Sequence, residues 1–285
     1  MLSRADVAAD LALVLHAIGR AGAGVMRAFG TTLEVTLKAP DQPLTAADLE
    51  ADALLRELLG GARPEYGWLS EETADHPDRL ARERVWIVDP IDGTRSFIAG
   101  RPEFSISIGL AERGTALLGA VLNPATAELY WAVQGAGAWR QAPGETPVRE
   151  QRLAVREDAV PPLLLASRSE LAACEFAPFE AEWRMQPTGS TAYKLARLAE
   201  GRGSAFLSRG PKSEWDICAG ALIVTEAGGR VTDLHGRAPG YNREDPYVHG
   251  ILAAAPATHA RLLATCRTLP PPARLRAGGN PESGA

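Results

Sequence analysis

The chain has 285 residues, of which 46% are hydrophobic and 23% charged. The length fits two domains or one large one. The composition is that of a globular chain able to bury a core, which excludes disorder along its whole length. Lys and Arg total 30 against 35 Asp and Glu, a net charge of −5, so the basic footprint of a protein that coats a nucleic-acid polymer is missing. An anionic substrate would have to be attracted by something other than net charge, and a bound metal ion is the usual device.

Residues 4–29 read as a helix, because Val7, Leu11, Val14, Leu15, Ile18, Val25 and Phe29 recur at mixed spacings of three and four. Gly19, Gly22 and Gly24 weaken it. Its apolar segment 11–18 is short and contains His16, and it reads as an amphipathic helix rather than a secretory signal. No run of about 18 apolar residues occurs, so no membrane-spanning helix is expected. LEVTL (33–37) alternates like a strand, and KAPDQPL follows as a loop. Thr45 then opens a second helix, with Asp48 completing a capping box and Gly60 as its stop.

The middle of the chain is rich in short β runs: 66–70, 84–89, 104–111, 116–123 and 128–133, spaced for antiparallel pairing. From about 160 the texture becomes an α/β alternation, with strands at 163–167, 204–208 and 230–234 and helices near 170–180, 191–200 and 215–227. The polar stretch 142–150 places a boundary near 140–160. The expected organisation is an N-terminal half, 1–150, a C-terminal half, 151–268, and a disordered Pro/Gly-rich tail, 269–285. Cys174, Cys218 and Cys266 form no CxxC or CxH pair, which argues against a cysteine zinc site. Their odd number, with no disulfide framework, fits a cytoplasmic protein.

The most informative segment is VWIVDPIDGTRSF, 85–97. An apolar strand ends at Asp89, Pro90 ends its ladder, and Asp92, Gly93 and Thr94 follow. In a turning backbone Asp89 and Asp92 can converge on one point with the Ile91 carbonyl between them, a hard-oxygen cluster suited to Mg²⁺. Gly93 lets a phosphate approach the backbone. A lone Asp-Gly is usually a surface turn; the string DPIDGT at a strand end is far more specific. Two further acidic positions matter. The pair Glu71 and Glu72 follows the strand YGWLS, and Asp216 stands at the start of a helix, where the macrodipole alone would favour an acid. Trp215 beside it reads as packing.

Taken in order, Asp48 in TAAD, the Glu pair, DPIDGT and the Trp215-Asp216 pair resemble the inositol monophosphatase family of metal-dependent phosphatases, over roughly residues 5–265. The resemblance implies a layered α/β/α/β/α sandwich, with N-terminal helices and an antiparallel sheet followed by an α/β half. It implies two or three Mg²⁺ ions held by Glu71, Asp89, the Ile91 carbonyl, Asp92 and Asp216. It also implies a catalytic set of Asp48, Glu71 and Thr94, in which Glu71 and Thr94 orient the attacking water and Asp48 supports Thr94. Lys38 sits where a loop lysine often precedes that acid. Inhibition by Li⁺ and a homodimer are further implications of the resemblance. No cysteine nucleophile or aspartyl-phosphate motif is present, which favours direct attack by water.

Within that family the details resemble the CysQ-type 3′(2′),5′-bisphosphate nucleotidases more than the inositol phosphatases. Arg95 follows DPIDGT, RPEF precedes the next strand, and Ser208 stands where inositol phosphatases place an acid. The loop TGSTAYK (188–194) is the expected substrate loop. The expected substrate contacts are Glu71, Ile91, Asp92, Gly93, Thr94, Gly189, Ser190, Lys194 and Asp216. Lys194 is the favoured cation for a second phosphate, with Arg95, Arg209 and Lys212 as further candidates; Tyr193 is a weaker candidate for stacking on a base. The expected partner is a small anionic phosphate ester, with no nucleic-acid polymer. An inositol-phosphate or histidinol-phosphate phosphatase, and an inactive binding protein on the same scaffold, are the alternatives.

Overall fold

Helix α1 (Arg4–Ala28) turns one apolar stripe inward, and Val14, Ala17, Ile18, Ala21 and Val25 are buried along it. The computed structural model describes residues 4–39, 42–141, 150–157 and 161–270. With a mean hydropathy of 1.3, the stretch Asp6–Ala28 is long and apolar enough to cross a membrane. That corrects the expectation drawn from uninterrupted apolar runs, which single polar residues break up. Here the stripe packs on a sheet. The expected loop at 38–44 is instead the arms of a hairpin, β1 (Val35–Ala39) and β2 (Gln42–Thr45). Helix α2 (Ala46–Leu55) begins at the expected capping box, where Thr45 N donates to Asp48 Oδ2 at 2.8 Å. Gly60 does not stop the helix. The run passes through a π-turn (Arg56–Gly60) to residue 62, because the fully buried Leu55 and Leu59 tie it to the core.

Seven strands form the first sheet in chain order: β3 (Gly67–Ser70), β4 (Arg84–Asp92), β5 (Ser105–Glu112), β6 (Thr115–Asn123), β7 (Glu128–Val133), β8 (Gly137–Gln141) and β9 (Glu150–Arg152). All neighbours are antiparallel except β3 and β4. The last two strands, GAWRQ and the short polar EQR, carry no clear alternation in sequence. The short helix α3 (Thr94–Ile98) follows β4 directly. Alternation on β4 serves both faces of the sheet. Trp86 and Val88 pack with α1 and α2, and Val85 and Ile87 point the other way.

The second half supplies β10 (Leu163–Ala166), α4 (Arg168–Ala172), β11 (Arg184–Pro187), α5 (Thr191–Ala199), β12 (Ala205–Ser213), α6 (Glu214–Glu226), β13 (Arg230–Thr232), β14 (Tyr247–Ala254) and α7 (Pro256–Thr268). Its sheet runs β11-β10-β12-β14-β13. The helix expected at 170–180 is cut short at Cys174, whose φ is 55°, and resumes as a 3₁₀ turn over Ala177–Phe179. Helices α5 and α6 lie between the two sheets, and α7 covers the far face of the second. The result is the expected five-layer α/β/α/β/α sandwich. One apolar cluster runs from Val85 and Ile87 through Leu195 and Ile217 to Phe206 and Ile251, so the halves share a core. The polar stretch expected to divide them lies mostly outside the described residues, as does the tail beyond Pro270.

Helix α6 sits unusually close to the first sheet. Gly109 and Gly119 are register partners on β5 and β6. A Cβ at Gly119 would come within 2.6 Å of the Ala219 Cα, and one at Gly109 within 2.5 Å of the Cys218 Sγ. Only hydrogen at both positions lets the helix backbone reach the sheet. Gly119→Val should therefore lower stability by about 1–3 kcal/mol through overpacking. Gly19→Ala, in a helix interior with nothing within 4 Å of the new Cβ, should raise it by up to about 1 kcal/mol. Urea unfolding midpoints of the two variants check both signs.

Candidate active site

Asp89 and Asp92 are three residues apart, a spacing that would send them to opposite faces of a regular strand. A bulge corrects this. Asp89 pairs with Ser107 and Asp92 with Ser105, so three steps on β4 oppose two on β5. Pro90 and Ile91 occupy the irregular step, and both carboxylates turn toward the N-terminus of α6. There Ser213 N donates to Asp216 Oδ2 at 3.1 Å, which completes that helix's capping box. One carboxylate oxygen from each of Asp89, Asp92 and Asp216 lies within 4.8 Å of the others.

These acids are held where they cannot all be charged unaided. Both oxygens of Asp89 are buried with no hydrogen-bond partner. Burial, with Glu71, Asp92 and Asp216 as neighbours, pushes its pKa well up. Asp216 is pushed up to about 7, by burial first and by Asp92 next. An unpartnered buried carboxylate is stable only if protonated or facing a cation. A cluster of hard oxygens at this spacing fits a divalent ion such as Mg²⁺.

Glu71 follows β3 and is raised by burial. Lys38 Nζ, from the hairpin, reaches it at 2.9 Å and reaches Glu72 at 2.6 Å. Burial lifts Glu72 to about 7. Thr94 Oγ1 lies 3.2 Å from Asp48 Oδ1 and 3.0 Å from the Ile91 carbonyl oxygen. The structure thus brings Asp48, Glu71, Thr94 and Ile91 to the acidic cluster.

The substrate loop meets the same point. Asp92 Oδ2 accepts hydrogen bonds from Ser190 Oγ at 2.7 Å and from Ala192 N at 2.6 Å. It thereby caps α5 and joins the two halves. Ser190 holds φ at 58°, a costly conformation for a residue with a Cβ. Gly93 has φ 96°, and a Cβ there would lie 3.1 Å from Ser190 N. Glu103 Oε2 accepts from Gly189 N at 3.0 Å and pairs with Arg168.

Glu71, Asp89, Asp92, Thr94, Ser190 and Asp216 line one cavity of about 500 Å³. Lys194 lies in it, buried, its Nζ donating to the Thr188 carbonyl at 3.1 Å. Burial brings it down to about 8, with Asp92 opposing. Arg95 lies on the cavity wall. The other candidates do not reach it. Arg209 is buried against Glu175, and Tyr193 donates to Glu128. Trp215 packs against Tyr247, and Ser208 Oγ donates to Glu170 Oε1 at 2.9 Å. Lys212 stands outside the wall but close enough to ease the charge on Asp92 and Asp216. Arg101 and Arg168 also line the cavity and were not among the expected substrate contacts. Arg168 falls between the strand expected at 163–167 and the helix expected near 170–180, and the structure makes it the first residue of α4.

The sequence matches the Inositol monophosphatase family over residues 8–270. It is 35% identical over 236 residues to an inositol-1-monophosphatase of Rhizobium meliloti, covering 79% of this chain and 86% of that one. It is equally 35% identical over 236 residues to a 3′(2′),5′-bisphosphate nucleotidase CysQ of Salmonella typhimurium, covering 80% and 92%. Among solved structures, the extragenic suppressor protein suhB of Bartonella henselae superposes with a TM-score of 0.78 at 29% identity, covering 91% of this chain and 99% of that one. A shared fold, a family match over most of the chain and a buried acidic cluster fit for a metal agree: the chain belongs to the inositol monophosphatase family and is a metal-dependent phosphomonoesterase.

Proposed function

We propose that the chain hydrolyses 3′(2′),5′-bisphosphate nucleotides, converting adenosine 3′,5′-bisphosphate to AMP and phosphate. The observation that carries this is the charge layout of the cavity. Four acids, Glu71, Asp89, Asp92 and Asp216, line its wall, as do Arg95, Arg101 and Arg168. Inositol carries no anion beyond the phosphate that reacts, whereas a nucleoside bisphosphate has a second one for these guanidinium groups. Lys194 lies too deep for that role and is better placed beside the reacting phosphate. Ser208 has no carboxylate for a sugar hydroxyl, and its own hydroxyl donates to Glu170. The free thiols, two of them buried, fit a cytoplasmic location.

Asp89, Asp92, Asp216, Glu71 and the Ile91 carbonyl would hold two or three Mg²⁺ ions, which when bound neutralise the phosphate and acidify water. The chain's own groups then have distinct tasks. Thr94 Oγ1 donates to Asp48, so its lone pairs accept a hydrogen bond from the attacking water, and as the water's proton moves to Thr94 the threonine's own proton passes to the Asp48 carboxylate. The Glu71 carboxylate accepts the water's other hydrogen and fixes its direction. Gly93, without a side chain, admits the phosphate to the backbone, and Ser190 keeps Asp92 in place. A second reading, an inositol monophosphatase, is favoured by the equal identity to the Rhizobium enzyme.

The ratio of kcat/KM on adenosine 3′,5′-bisphosphate and inositol 1-phosphate tests the choice. A preference for the bisphosphate is expected, and a preference for inositol 1-phosphate overturns it. Arg101→Gln should raise KM for the bisphosphate by roughly 10- to 100-fold, the value of one charge-assisted contact, and change inositol 1-phosphate by less than about threefold. Asp92→Asn should cut kcat by well over tenfold, a barrier rise above about 1.4 kcal/mol, in a phosphate-release assay at saturating Mg²⁺.

A further inference from the structure

A second cleft lies at the free edge of the first sheet, around β3. It consists of two depressions, of about 250 and 170 Å³, that share Arg56, Tyr66, Gly67 and Trp68. Trp68 and Trp86 are register partners on the parallel strands β3 and β4, so their indoles stand side by side on one face. Tyr66 meets Trp86 with ring centroids 5.6 Å apart.

Two observations mark this as more than surface relief. The Nε1 atoms of both Trp68 and Trp86 are buried with no hydrogen-bond partner, and Trp86 is fully buried. A buried donor left unpaired calls for an acceptor. Arg56, the first residue of the π-turn, and Arg82 line the rim, and neither guanidinium makes an ion pair or hydrogen bond among the described residues. The other polar groups are already satisfied. Tyr66 Oη donates to Asp10 and accepts from Arg84. Arg79 is paired with Asp75 and Arg63 with Asp10, while Asp78 at the outer rim donates its backbone N–H to His76 Nδ1 at 3.3 Å and leaves its carboxylate exposed. Apart from the exposed Asp78 carboxylate at the outer rim, what remains is donor and cation, set against aromatic walls.

We infer that this cleft binds a planar anion: a flat, acceptor-bearing ring against Trp68 and Tyr66, with an anionic group held by Arg56 and Arg82. A base is such a ring, and stacking on an aromatic side chain does not depend on which base it is. A nucleoside monophosphate therefore has the required chemistry. Glu71 follows β3 directly, so the cleft and the acidic cluster share one strand. The inference does not depend on which ester the enzyme hydrolyses.

The test is tryptophan fluorescence of the full chain in Mg²⁺, titrated with adenosine 5′-monophosphate at constant ionic strength. A saturable quench is expected. It should persist in Asp92→Asn, disappear in Trp68→Phe, and need at least tenfold more ligand in Arg56→Gln, whose kcat should match the wild type. Inorganic phosphate should bind at least tenfold more weakly. Absence of a saturable quench, or a quench indifferent to both Trp68→Phe and Arg56→Gln, overturns the site. Equal binding of inorganic phosphate overturns the role of the aromatic walls.

Discussion

The seating of α6 on the first sheet is the contact on which the rest depends. Gly109 and Gly119 let the helix backbone approach until Ala219 and Cys218 touch the sheet. On its other side Gly220 leaves no room for a Cβ beside Leu195 of α5, with a contact at 2.7 Å. Interiors are close-packed and transmit strain, so a helix wedged on both sides has one position along its length and one depth. Asp216, on its first turn, inherits that position. The carboxylate is delivered to the bulge of β4 by packing that lies well away from the site.

The bulge completes what the helix begins. Without the extra residue at Pro90 and Ile91, Asp89 and Asp92 would face opposite sides of the sheet. With it they converge, and Asp92 serves two masters. One oxygen caps α5 through Ala192 N and is steadied by Ser190, leaving the other for the cluster. The strained backbone of Ser190 is affordable because Asp92, Tyr193 N and the Ser105 hydroxyl all hold its side chain. The acidic site is therefore also a joint between the halves. The fold concentrates like charges there, where burial raises every acid, and this makes a cation part of the structure's electrostatic balance.

Much of this was legible. DPIDGT marked the strand end where Asp89 and Asp92 converge, because proline removes a donor and Asp-Gly turns the chain, and the capping box at Thr45 and the acid Asp216 are local signals of helix starts. The depth of Lys194 and the withdrawal of Ser208 to Glu170 were not legible, because both are set by contacts between distant segments. Arg101 and Arg168 were not legible as site residues for the same reason: an isolated basic residue looks solvated until the opposite wall is known. The membrane-length hydropathy of α1 shows the converse. Only the sheet beneath it explains Val14, Ile18 and Val25.

The central claim is that β4 and α6 together build a divalent-metal site. An anomalous-difference map from crystals grown with Mn²⁺ tests it most directly. The account predicts a peak enclosed by the carboxylates of Asp89, Asp92 and Asp216. A map with no peak there, or one whose only ion lies elsewhere, would contradict it.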